Sequence, residues 1–286
     1  VMGGLGGLLD GVRLSPAQRR IALYLSEHLD EAIFLSSVEL AERAGVSQPS
    51  VTRFAVALGF AGYPELRQAL RPLVLGRTAG EPGLIESAID GEIRNLGLLR
   101  SRLDGAPAVE AGHGQAPPPP LRIKEAGEAL AAADPLPIFG LRVSAGLATT
   151  LGYYARLIHP DVRLFTHGGS ELLDGLRIVQ RAGAQWVLAV VLPRYPAESI
   201  QALEYADKLG LRRVVITDRP GLPADITLDA PVGDRLVFDS HAAPLAVAMA
   251  LVEAMADAAP LRTQARLEDY ERSSDEAGIF LPGEPP

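Results

Sequence analysis

The 286-residue chain contains no cysteine, which excludes structural disulfides, thiolate metal sites and cysteine nucleophiles. That lack fits a reducing cytoplasm, the compartment expected here. A surplus of positive charge is also missing. The chain has 27 Lys and Arg against 35 Asp and Glu, a net charge of -8. Proteins that coat nucleic acid without selectivity are basic, so any DNA contact must come from a local patch. The apolar start, "VMGGLGGLLDGVRL", is too short and too glycine-rich to span a membrane. It has no basic n-region, so no signal peptide is expected. Its "GLGG" follows no strand, which removes a nucleotide-binding fingerprint. The histidines and carboxylates show no metal-ligand spacing, and no fixed-period repeat is present. Neither a metal nor a cofactor is expected, nor a membrane partner.

What is present suits a folded protein of one large domain or two ordinary ones, with 48% hydrophobic and 22% charged residues. Three zones are expected: a helical domain over 1–75, a helix and linker over 76–120, and an α/β domain over 121–286. In the first zone, "LSPAQRRIALYLSEHL" has Ser15 placed as an N-cap, with Pro16 at the first helical position. Ile21, Leu25 and Leu29, with Ala22 nearby, form an apolar stripe at helical spacing. Ser36 and Glu39 are spaced as a capping box, and Gly45 ends that helix. Ser47 can cap the next helix, with Pro49 in its first turn. A further helix starts near Pro64. In the middle zone, "LIESAIDGEIRNLGLLRSRL" has a helical pattern, and "DGAPAVEAGHGQAPPPP" has too few large apolar groups to offset its ordering entropy.

The third zone alternates apolar runs with helical patterns. The runs are "PLPIFGLRVS", "VRLFTHG", "QWVLAVVLP", "RRVVITD" and "DITLDAPV", followed by a last long helix from about Ser240 to Ala258. Strands alternating with helices predict a parallel sheet covered on both faces, five strands wide and doubly wound. The fold class is therefore α plus α/β.

The segment "ELAERAGVSQPSVTRFAVALGF" predicts a helix-turn-helix. Val38, Leu40 and Ala41 would be buried from its first helix, and Gly45 would supply the turn. Val51, Phe54, Ala55 and Leu58 would anchor the second. Its opposite face would then show Gln48, Pro49, Thr52, Arg53 and Val56. Second helices of this kind enter the major groove N-terminus first. Gln48 and Thr52 can read base edges, and Arg53 can read guanine or hold phosphate. Ser47 and Ser50 can donate to phosphate beside the helix N-terminus. The expected partner is double-stranded DNA. Over the first 75 residues, Arg13, Arg19, Arg20, Arg43, Arg53, Arg67 and Arg71 are balanced by Asp10, Glu27, Asp30, Glu31, Glu39, Glu42 and Glu65. So neutral a module predicts weak binding by one copy and a need for two.

The stretch "LSPAQRRIALYLSEHLDEAIFLSSVELAERAGVSQPSVTRFAVALGFAGYPELRQAL" resembles the N-terminal domain of the RpiR family of bacterial transcription regulators. The part "ELAERAGVS…SVTRFAVALGFAGYPELR" is the most specific. The family joins this domain to a C-terminal sugar isomerase (SIS) domain. The resemblance therefore implies a flavodoxin-type sandwich after the linker, homo-oligomers (dimer or tetramer), and control of sugar or sugar-phosphate genes.

Ligands of open parallel sheets bind at the carboxyl ends of the strands, near the switch in strand order. That rule selects Ser144 after the first run, Thr166 to Ser170 after the second and Arg194, Tyr195 and Ser199 after the third. It also selects Thr217 and Asp218 after the fourth, and Ser240 and His241 before the last helix. Resemblance to SIS domains implies a sugar-phosphate site built from the first and third of these loops, with Ser144 as the first-loop serine. The third loop, "VVLPRYPAES", departs from the hydroxyl-rich loop of the family. Arg194-Tyr195 resembles an "RYS" variant, but Pro196 replaces its serine. Arg194 can supply a charge-assisted fork in place of hydroxyls. "TDRPGLPADITL" is shorter than its family counterpart. No Glu or His stands in a catalytic motif, so no catalytic residue is assigned and the chain is not expected to be an enzyme. His159 is expected as a charge or cap at a helix end. Two alternatives remain open: an isomerase-like enzyme with an accessory helical domain, and a regulator whose sugar-phosphate site is degenerate.

Overall fold

The computed structural model describes residues 5–74, 84–103, 119–233 and 236–280. The proline- and glycine-rich linker expected before residue 121 falls largely on 104–118, outside the described residues. Contacts divide the chain into two units. One is 1–94 with 233–240, and the other is 95–232 with 241–286.

The first unit is helical, with α1 (Leu5–Leu9), α2 (Pro16–Glu27), α3 (Leu29–Ala32), α4 (Ser37–Arg43), α5 (Gln48–Ala57) and α6 (Tyr63–Val74). The helix α7 (Leu84–Leu103) begins in it and continues into the second unit. Two capping boxes start α2 and α4. The Gln18 N–H donates to Ser15 Oγ at 3.3 Å and the Ser15 N–H to Gln18 Oε1 at 2.8 Å. The Glu39 N–H donates to Ser36 Oγ at 3.3 Å and the Ser36 N–H to Glu39 Oε2 at 2.7 Å. The backbone bond from Ser36 lowers the Glu39 carboxyl pKa. The apolar stripe closes into one core of Ile21, Leu25, Leu40, Val51, Phe54 and Leu66. Tyr63 binds α6 to the strap before α4. Its hydroxyl donates to Ala32 O at 3.1 Å or Leu35 O at 3.2 Å, and burial pushes its pKa up to about 12.

Gly45 has φ +62, where only glycine is unstrained. A Cβ there would lie 2.3 Å from Arg20 Nη2, so the Arg20 guanidinium of α2 would have to shift. One expectation fails in this region. Val38 is 53% exposed rather than buried. It lies two residues before Leu40, and at 100° per residue that places it about 160° round the helix from Leu40, outside the face that Leu40 and Ala41 bury. Leu58 is half-buried rather than fully so.

The second unit is a three-layer sandwich. Its elements are α8 (Ile123–Ala131), β1 (Leu136–Gly140), α9 (Ser144–Ile158), β2 (Val162–Phe165), α10 (Ser170–Arg181), β3 (Trp186–Val191), α11 (Ala197–Lys208), β4 (Arg212–Thr217), β5 (Ile226–Asp229), α12 (Ala242–Ala258) and α13 (Pro260–Ala277). All strand pairs are parallel, in the order β2-β1-β3-β4-β5. The five-stranded, doubly wound sheet expected from sequence is therefore present.

Alternation along β3 builds two cores. Leu188 and Val190 pack with Leu130, Leu151 and Leu251 of α8, α9 and α12. Val187, Ala189 and Val191 pack with Leu172 and Leu176 of α10 and Leu203 of α11. At α8, a Cβ on Gly127 would meet the Ala254 Cβ at 2.6 Å, so this glycine sets how closely α8 lies on α12. The order switches between β1 and β3, whose carboxyl ends therefore border the crevice where such sheets take ligands. Two helices, α8 and α13, were not among the sequence-based expectations.

Candidate DNA interface and strand-end crevice

Four buried residues of α5 (Ser50, Val51, Phe54 and Ala55) hold that helix against the helical core. This leaves Gln48, Pro49, Thr52, Arg53 and Val56 exposed in a row. Ser47 occupies the N-cap position, but its side chain makes no cap bond. Its Oγ instead lies 2.9 Å from Ser50 Oγ. Ser50 is buried beneath the row and accepts from Arg53 Nη2 at 3.2 Å. The two serines thus steady the first turn and aim the guanidinium. Gln48 Nε2 donates to Ser37 Oγ at 3.2 Å, joining α5 to the start of α4. Gln18 of α2 reaches across to Arg53 O at 3.2 Å. Sequence reasoning missed Ser37, which is half-buried and supports Gln48 of the row. The doublet Ser36-Ser37 at a capped helix start was the available signal.

At the strand ends, Ser144 opens α9 and is 1% exposed. Its Oγ donates to Leu192 O at 2.8 Å and accepts from Leu192 N–H at 3.2 Å. The hydroxyl is therefore a clasp between α9 and the end of β3. Arg194 is exposed just beyond it. Tyr195 is half-buried, and its OH lies 3.1 Å from Thr217 Oγ1, which is fully buried at the end of β4. Burial raises the Tyr195 phenol pKa. The Arg219 guanidinium stands 5.3 Å from the Tyr195 ring centroid. Ser199 sits in the first turn of α11, buried, with no hydrogen-bond partner for its Oγ among the described residues.

The fold thus gathers Ser144, Arg194, Tyr195 and Thr217 at the ends of the adjacent strands β1, β3 and β4. Ser240 does not join them. It groups with the helical unit and forms an isolated bridge to Gly233, with backbone bonds of 2.8 and 3.0 Å. Arg142, at φ 57 just after β1, was missed. A positive φ at an arginine has no signature in sequence. His159 is also corrected. It does occupy the C-cap position of α9, its backbone N–H donating to Ala155 O, but its ring is buried, with Nε2 at 2.6 Å from Ala133 O and a pKa lowered by burial rather than a charge facing the helix end. Among the described residues, no cluster of His, Asp and Glu has the makings of a metal site, and no single helix is long and apolar enough to cross a membrane.

Residues 10–73 match the model of the helix-turn-helix domain of the rpiR family. The matched stretch lies within the helical unit. The rpiR match holds both capping boxes, the Gly45 turn and the exposed row of α5. Over 87 residues, 30% of this chain, it is 39% identical to the uncharacterized HTH-type transcriptional regulator YfhH of Escherichia coli. Over 54 residues, 19% of the chain, it is 39% identical to the HTH-type transcriptional regulator HexR of Pseudomonas aeruginosa. These matches span only 29% and 19% of those relatives.

The sheet unit has its own likeness. The crystal structure of an RpiR transcription factor from Sphaerobacter thermophilus (its sugar isomerase domain) aligns with TM-score 0.51 at 25% identity. The alignment covers 64% of this chain and 97% of that one. The architecture is therefore an rpiR-type helical domain followed by a sugar-isomerase-type sandwich.

Proposed function

We propose that this chain is a transcription regulator that binds double-stranded DNA through α5 and pairs with further copies of itself. In this reading it acts in the cytoplasm, is not an enzyme, and controls genes of sugar or sugar-phosphate metabolism. The observation that carries it is the exposed row Gln48, Pro49, Thr52 and Arg53, steadied by Ser47 and Ser50, in a domain that matches the rpiR model. Gln48 and Thr52 read bases, and Arg53 reads guanine or phosphate. Ser47, at the helix N-terminus, donates to phosphate, and Ser50 works from below by orienting Arg53. Two modules side by side compensate for the missing net charge. Selection from random duplex DNA with the full chain tests this. Enrichment of a motif with two half-sites, a helical turn (about 34 Å) or a multiple apart, is expected; no enrichment contradicts it.

The sheet unit serves as the sensing half. Arg194, Tyr195 and Thr217 line the strand ends, with Ser144 and Ser199 beneath, and a sugar phosphate is the expected effector. A ligand that prefers one paired arrangement shifts DNA affinity by that preference. A second reading, a regulator that no longer takes sugar phosphates, is favoured by the engagement of both Ser144 Oγ roles by Leu192. Calorimetry with a panel of sugar phosphates separates the two. Heat that is lost in Arg194→Ala supports sensing, and uniform absence of heat with intact DNA binding supports the second reading.

A further inference from the structure

Two exposed side chains of α5 are held by neighbours within the helical unit. Arg53 is tied to Ser50 beneath it. Gln48 is tied to the other helix of the motif. Its Nε2 donates to Ser37 Oγ of α4 at 3.2 Å and to Thr52 Oγ1, one turn along α5, at 3.5 Å. A side-chain amide nitrogen carries two hydrogens, and these two contacts use both. Its Oε1 accepts from no donor among the described residues, and the side chain is exposed. Gln48 is the first residue of α5, at the end that enters a groove first. It therefore presents a carbonyl to that groove and not a whole amide. The tether joins two fixed points, because the Gly45 turn and the shared core of Leu40, Val51 and Phe54 hold α4 against α5.

This arrangement restricts which bases Gln48 reads. A free glutamine pairs with adenine through two bonds, its Oε1 accepting from N6–H and its Nε2 donating to N7. With Nε2 engaged, only the first bond is left. Cytosine offers the same kind of donor through N4–H. Guanine and thymine present only acceptors on their major-groove edges, and these oppose a carbonyl. We propose that Ser37 is a positioning residue for base readout: by holding the Gln48 amide nitrogen, it makes Gln48 an acceptor-only reader that takes adenine and cytosine alike and rejects guanine and thymine. The proposal rests on the reading of α5 as the DNA-contacting helix and adds what one of its side chains selects.

Full-length wild type and Gln48→Ala are selected on random duplex DNA, which locates the base pair whose preference the Gln48 change relaxes. Four duplexes that differ only at that pair are then titrated by fluorescence anisotropy with wild type, Ser37→Ala and Ser37→Thr. Wild type is expected to bind the adenine and cytosine duplexes within about threefold of each other, and the other two about tenfold more weakly, less than and within the span of one bidentate pair. In Ser37→Ala the freed N–H completes the adenine pair, so adenine should exceed cytosine by about tenfold. Ser37→Thr keeps a hydroxyl there and should restore the tolerant pattern. Neither change touches the cap of α4 made by Ser36 and Glu39, and the wild-type comparison needs no Ser37 variant at all. An equal loss on all four duplexes in Ser37→Ala makes the bond merely structural and overturns the proposal. So does a wild-type preference for adenine alone, for guanine or for thymine, or a Gln48→Ala chain that selects the unchanged motif. Each of these outcomes leaves the regulator reading intact. A wild-type chain that enriches no motif contradicts that reading, and the proposal with it.

Discussion

Ser144 shows how a hydroxyl can be placed correctly by sequence and still be engaged elsewhere. Its position at the start of α9 is legible in "RVSAG" after an apolar run. Its clasp on Leu192 is not, because the partner lies 48 residues away and is backbone. Ser144→Ala should loosen the β3 end and lower stability by about 1–2 kcal/mol, as buried hydrogen-bond losses do, measured by urea unfolding. His159 makes a pH prediction. Burial lowers its folded pKa below the ordinary 6.5, so the unfolded chain takes up the proton first. Stability is then full above about pH 6.5 and falls as pH drops below it towards the folded value. A thermal midpoint that declines from pH 7 to pH 5, with a shallower decline in His159→Gln, is expected. Arg102 of α7 is tied to Asp229 of β5. Nη1 and Nη2 each reach a different carboxylate oxygen of Asp229 at 2.9 Å, and Nε reaches Pro119 O at 3.0 Å. Arg102→Ala strands a largely covered carboxylate, and a loss of about 3 kcal/mol in urea unfolding is expected.

Among the elements, several helices with a cap were legible, whereas α8, whose Ile123, Ala126 and Leu130 are buried at helical spacing but which has no side-chain cap, was missed. The helices α2, α4 and α5 announced themselves through Ser15-Pro16, Ser36-Glu39 and Gly45. Gly45→Ala tests the turn. A left-handed residue with a Cβ costs about 1–2 kcal/mol, and Arg20 must move as well, so a lower thermal midpoint and weaker DNA binding are expected together. By contrast, α13 buries only Ser274 and is polar nearly all round, so no periodicity marks it. It is held by its arginines instead. Arg262 donates to Ala131 O and Arg266 to Arg156 O, both at 2.8 Å, near the C-terminal ends of α8 and α9. Those carbonyls are the unsatisfied groups of helix ends. Contacts made over 100 residues of sequence separation leave no local trace. The expected row on α5 was legible for the opposite reason, since its anchors Val51 and Phe54 lie within the same helix. Val38 was misread because a seven-residue helix offers too few repeats to fix its buried face.

At the scale of the whole molecule, charge sets the logic. A net charge of -8 gives no general attraction to DNA, so in the proposed function specific contacts by paired helices carry the affinity. In the proposed function the rpiR-type domain supplies the reading helix, and the sugar-isomerase-type sandwich is the sensing half. The most direct test is fluorescence anisotropy of the full chain on its selected duplex, titrated across salt for wild type and Arg53→Ala. The account predicts specific binding that weakens with salt, and a loss of about 10- to 100-fold in Arg53→Ala, the range of one base or phosphate contact. Equal affinity for selected and scrambled duplexes, or full affinity in Arg53→Ala, would contradict it.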